Sequence, residues 1–310
     1  MNQGPYSRIT KLRPGGRTKL LPIFGAILGV AACMALSTLT QKHAAFNIAA
    51  WAAWGIGAVA AIVIYAAASA HSACRVGTRE VVMMAIGAAL YGILASSTNW
   101  MTISGVSPVS LRPAIAIPVL FGSLFGPVVG FFTGAVGNIL GDFISGIGVY
   151  PAWDLGNGLV GLVAGLSIIY VNRSRAINVA TAIAVLTAAA AGAWMALQSR
   201  LVFENPITGH TVNHHPFWWV LTLGAAVLIA VRLGFRRKPE LLSPVIWGVL
   251  GVIIGLGFAS VADIWINGFT PVVALVGEFA PSAGPDVLMI IVLVPLLYSA
   301  YQNAVARSGR

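Results

Sequence analysis

The chain of 310 residues is 58% hydrophobic and only 8% charged, with a mean hydropathy of +0.89, whereas a soluble domain carries about 25% charged residues. So little charge excludes a water-solvated surface around a core, and lipid must replace water over most of the outside. The net charge of +10 is spread in short clusters between apolar runs, which excludes a basic face for nucleic acid and fits orientation in a membrane.

A spanning helix needs roughly 20 apolar residues, and in chain order the candidates are 20–40, 46–70, 81–98, 112–125, 127–145, 156–171, 176–198, 216–235, 242–262 and 286–304. The prediction is an all-α polytopic helical membrane protein of about ten transmembrane helices. The first span follows basic residues from Arg8 to Lys19 as a signal peptide would, but no small-x-small cleavage site ends a short apolar region. It reads as an uncleaved helix. Gly126-Pro127 makes a tight turn between the short fourth span and the fifth, a helical hairpin with one shallow arm. Cys33 and Cys74 read as free thiols. With the N-terminus in the cytoplasm, all but three of the 18 basic residues (Lys42, Arg112 and Arg200) fall inside, so the positive-inside rule places both termini in the cytoplasm.

The acidic residues are distributed differently. Glu80 and Glu240 are inside, while Asp142, Asp154, Glu204, Asp263, Glu278 and Asp286 fall at or beyond the outer ends of spans. Asn138 and Asp142 are four apart and share a helix face. Polar groups there turn toward protein or water, so Asp142 either binds a ligand or caps loop amides at the rim. Asp154 and Asp286 are expected as N-caps of the helices from Leu155 and Val287. Asn157, one turn into its helix, is expected in a pocket. Trp100, Tyr150, Trp153 and Trp265 cluster at the same level, as an interfacial belt would or as a stacking pocket for a flat ligand would. The company of Asn99, Asn138, Asp142, Asn157, Asp263 and Asn267 at one depth favours the pocket. The segments 141–146 and 262–268 echo each other, either as related halves of a site or by chance. Gly122, Gly126, Gly130 and Gly134, four apart, are read as helix packing. His210, His214 and His215 are read as a solvated loop, because Pro206, Gly209 and Pro216 oppose a helix there. No phosphate loop, metal-binding helix motif or paired catalytic carboxylates occur, so no catalysis, cofactor or metal is expected, and any energy for pumping comes from a partner.

The stretch 112–165, with Ile117-Pro118, Leu124-Phe125-Gly126-Pro127 and the following Gly-x3-Gly run, resembles the S components of energy-coupling-factor (ECF) vitamin transporters. The resemblance extends to Gly268-Phe269-Thr270, Glu278-Phe279-Ala280-Pro281, Pro285-Asp286 and Val294-Pro295-Leu296-Leu297. It implies a six-helix core that binds a vitamin or related micronutrient near the outer face, then docks on a transmembrane T component and cytoplasmic ATPases in a prokaryotic inner membrane. The family's Ala-x3-Ala coupling face maps onto Ala85 and Ala89. On this mapping residues 1–19 are a basic cytoplasmic tail, 20–75 an extra hairpin, 76–175 the first four core helices, 176–240 a second extra hairpin, and 241–310 the last two core helices with the C-terminus. A core ending in 176–198 and 216–235 keeps the same topology. The implied function is substrate capture for an ECF-type importer, with loops 99–111 and 145–154 covering the ligand. The alternatives are a self-contained secondary transporter or channel, and an enzyme acting on lipid or glycan.

Overall fold

The computed structural model describes residues 20–40, 47–103, 109–170, 174–197, 202–204, 211–213 and 217–308. The tail residues Arg8 to Lys19, together with Lys42, Arg173, Arg200, the three loop histidines and Arg310, lie outside the described residues. The helices are α1 Leu21–Thr40, α2 Ile48–Ala68, α3 Thr78–Thr98, α4 Ala116–Phe125, α5 Pro127–Ser145, α6 Pro151–Gly165, α7 Ser167–Tyr170, α8 Ser174–Leu197, α9 Phe217–Gly234, α10 Pro239–Ile266 and α11 Ala280–Ser308. The described residues also form two small antiparallel pairs, β1 Thr102–Ile103 with β2 Val109–Ser110, and β3 Val202–Glu204 with β4 Thr211–Asn213. Among the described residues, eight helical stretches are long and apolar enough to cross a membrane, and Pro113–Phe125 and Trp218–Gly234 are shorter apolar helices. The protein is therefore an all-α, multi-pass membrane protein. Leu21, Leu39, Ile48 and Leu186 are among many large apolar side chains left bare on the outside, where lipid takes the place of a protein partner.

The centre of the bundle is α6. It packs against α5 and α4 on one side and α10 on the other. Glycine makes this possible at two crossings. A Cβ on Gly161 would run into the backbone of Gly130 on α5, and one on Gly255 of α10 would run into the Gly156 carbonyl. The helix axes approach until backbone meets backbone, the close packing that small residues allow in membranes. Around this slab, α3 packs on α5, the α1–α2 hairpin covers α5 and α6, α11 lies on α10, and α8 and α9 pair with each other against α10 and α11. Between α4 and α5 the chain turns at Gly126, whose φ of 109° suits only glycine.

Two helix starts differ from the sequence expectation. α6 begins at Pro151 with Tyr150 as its N-cap, and the Asp154 backbone N–H already donates to the Tyr150 carbonyl (2.8 Å). Asp154 is thus inside the first turn and is no cap. Proline at the first helical position, where no backbone donor is needed, is the physical reason for the early start. Asp286 also lies inside a helix. α11 runs through Pro285 and is preceded without a break by a π-helical turn over Val273–Phe279. The wide turn directly precedes Pro281 and Pro285, which withdraw two backbone donors from the helix.

Candidate functional site

One end of the bundle holds a cavity of about 130 Å³. A single water needs about 10–15 Å³ on the same scale, so the space admits a small organic molecule. The wall draws on the C-terminal ends of α5 and α10, the N-terminal ends of α6 and α11, and the β2 segment leading to Arg112. The opposite end of the bundle carries Arg75, Arg79, Arg175, Arg232, Arg236, Arg237, Lys238 and Arg307 at the termini of α3, α8, α9, α10 and α11.

Helical repeat explains which side chains reach the cavity. Asn138 and Asp142 of α5, Trp153 and Asn157 of α6, and Asp263 of α10 with its C-cap Asn267 are each four apart. Glu278 of the π turn and Ser282 and Asp286 of α11 make a fourth series with the same spacing. Arg112, which the sequence offered only as an outer-loop charge, folds in to meet α5. Its guanidinium donates to Asn138 Oδ1 (2.8 Å) and lies 3.5 Å from Asp142 Oδ1. Asn138 turns its amide N–H groups the other way, donating to Asp142 Oδ2 (2.9 Å) and to Asp154 Oδ1 (2.8 Å). One neutral amide thus joins a guanidinium to two carboxyl groups.

The other polar residues are held in the same manner. Asp263 accepts from Trp153 Nε1 (2.8 Å) on one oxygen and from Asn267 Nδ2 (2.9 Å) on the other. Asn157 accepts from the Tyr91 hydroxyl (2.7 Å) and donates to the Trp153 carbonyl (2.9 Å), which ties α3 to α6 behind the wall. Burial, and after it the Asp142 and Asp263 carboxylates, push the Tyr150 phenol up, so it stays neutral and able to donate at ordinary pH. Asp286 differs from all of these. It is 6% exposed and lines the cavity, yet its carboxyl neither hydrogen-bonds nor ion-pairs with any of the described residues.

Of the residues singled out in the sequence, the cavity brings together Asn138, Asp142, Tyr150, Trp153, Asn157, Asp263 and Asn267. Three fall elsewhere. Trp100 and Trp265 are 77% and 68% exposed on the outside of the bundle, and Asn99 ends α3, where it donates to Ser145 Oγ (2.7 Å). Arg112, Glu278, Ser282 and Asp286 are wall residues that the sequence reading did not place there; the four-residue spacing of the last three was the available signal. Ala85 and Ala89 lie on the exposed face of α3. Among the described residues no group of three His, Cys, Asp or Glu side chains could hold a metal ion.

Comparison with known proteins gives this architecture a family. A UPF0397 protein of Vibrio atlanticus is 44% identical over 88 residues, which is 28% of this chain and 47% of that protein. One of Aliivibrio salmonicida is 41% identical over 99 residues, 32% of this chain and 53% of that protein. The chain spans about half the length of the curated relatives it matches. No solved structure matches. The family model described as "ECF-type riboflavin transporter, S component" matches residues 75–231, half of the chain and the whole stretch from α3 to the body of α9, and the chain therefore belongs to the family of ECF-type riboflavin transporter S components.

Proposed function

We propose that the protein is the substrate-capturing subunit of an ECF-type importer, taking a vitamin-sized molecule at the outer face of a prokaryotic inner membrane. The cavity carries this reading. It is a preorganised polar chamber at one end of an otherwise apolar bundle, a placement expected of intramembrane polar groups that handle a solute. The basic helix ends at the far side support, under the positive-inside rule, a cavity that opens outside and termini in the cytoplasm. Capture outside needs release inside, and the chain has no phosphate loop to drive it. A transmembrane T component and ATPases supply that work, engaging the small-residue face at Ala85 and Ala89. The core is formed by α3 to α6 with α10 and α11, while α1–α2 and α8–α9 are added hairpins. Riboflavin, named in the family's description, is the reference compound against which other vitamin-sized ligands are compared.

The test is mass spectrometry of small molecules released from the purified, heat-denatured protein, joined to uptake in liposomes. One vitamin-sized compound at near-stoichiometric yield, carried inward only when T component and ATPases are added, is the expected result. Uptake by the chain alone would replace this reading with a self-contained secondary transporter.

A further inference from the structure

One carboxyl of the cavity wall has no bonded partner among the described residues. Asp142, Asp263 and Asp286 line the cavity, and Arg112 is the basic residue among the described wall residues. Arg112 is already committed to Asp142 and Asn138, so it is not available to an anionic ligand. Asp263 is held by two neutral donors, which leave its charge in place. Asp286 has no protein partner among the described residues, although it is 94% buried, with 6% of its surface exposed, and faces the cavity. Arg112 acts on Asp286 through space but pairs with Asp142 instead, and a carboxylate taken out of water without a bonded counter-charge is costly. Among the described residues no cation is bonded to Asp286, and the space in front of it is where one would seat.

On the footing of the capture function proposed above, we infer that the ligand is an organic cation whose protonated or quaternary nitrogen seats against Asp286. A metal ion does not fit, because no cluster of three ligating side chains exists among the described residues. Tyr150 and Trp153 line the same cavity, and aromatic rings favour a cationic partner of limited hydration over a small hydrated ion. Neutral riboflavin would leave Asp286 uncompensated, so the ligand differs from the one in the family's description.

The experiment divides a bacterial metabolite extract on a cation-exchange resin at pH 7 into retained and unretained fractions, with riboflavin and a matched inorganic-salt solution run beside them. Thermal unfolding of the purified full chain in detergent is read for wild type and for Asp286→Asn. The retained fraction is expected to stabilise wild type, and the salt control, the unretained fraction and riboflavin are not. In Asp286→Asn the dilution giving half the stabilisation moves by about 30-fold or more, the loss typical of removing one partner of a buried charge pair. Stabilisation by the unretained fraction or riboflavin in place of the retained one overturns the cationic ligand and leaves capture standing. Equal dilution curves for the two proteins remove Asp286 as the counter-ion. If no fraction stabilises wild type, capture itself fails. The wild-type arms decide the ligand's charge even if the variant does not fold.

Discussion

Replacing Asn138 with leucine is the sharpest test of the polar network. The two side chains are similar in size, so packing changes little, but three hydrogen bonds disappear together, those with Arg112, Asp142 and Asp154. Each involves a charged or ionisable partner, a class worth about 1.5–3 kcal/mol per bond. Bonds sharing one side chain do not add in full, and Arg112 keeps its direct approach to Asp142. Asp154, fully buried with Oδ2 already unpartnered, loses the one side-chain donor recorded for it. A cost of about 3–5 kcal/mol is the result, in the range seen when a buried polar network is broken. Unfolding by SDS in mixed micelles reads it, with Asn99→Leu as the matched control. Asn99 donates to the Ser145 hydroxyl outside the cavity, and its loss costs about 1 kcal/mol. If Asn138→Leu unfolds within about 1 kcal/mol of wild type, or no worse than the control, the amide does not hold the wall together.

Gly161→Ala places a methyl group against the Gly130 backbone and should cost about 1–3 kcal/mol by the same SDS titration, whereas Gly25→Ala, whose added carbon meets nothing within 4 Å, should cost nothing. Trp153→Phe keeps an aromatic ring on the cavity but takes the donor from Asp263; a loss of about 1.5–3 kcal/mol is expected, and recovery by Asp263→Asn in the double variant would show that the two act as a pair. Ala85→Trp with Ala89→Trp adds bulk to an exposed face; ligand binding by the purified chain should be unchanged while ATP-driven uptake with T component and ATPases is lost. Normal uptake by that variant would move the coupling surface elsewhere.

Much of this architecture is legible in the sequence, and the exceptions have local causes. Long apolar runs bounded by charge or by Gly-Pro reveal α3 and α5 closely, because the bilayer sets their length. Asp154 and Asp286 are expected as caps of helices starting at the next residue, yet Pro151 already opens α6 and α11 runs through Pro285. A one-residue pattern does not reveal a π turn that accommodates prolines further on. In the site, Asn138 and Asp142 declare themselves by spacing. Arg112 does not, since a lone arginine before Pro113 looks like any flanking charge until α4 and α5 fold back on each other. Trp100, Trp153 and Trp265 sit at one depth but on different sides of the bundle, and depth is all that hydropathy reports.

The boundary of the family match adds a further point. It ends at residue 231, within α9, but Asp263, Asn267, Glu278, Ser282 and Asp286 of the cavity wall lie beyond it. The matched stretch contributes Arg112, Asn138, Asp142, Tyr150, Trp153 and Asn157, and most of their polar groups are spent on one another. That half of the wall is a frame, tied to the α5–α6 glycine crossing that positions it. The carboxyl with unspent capacity, Asp286, belongs to the other half. Specificity is a difference of contacts between competing ligands, and groups already paired within the protein discriminate less than a group awaiting a partner. On the proposed function, ligand choice therefore resides in α10 and α11, and substitutions in residues 75–231 act first on stability.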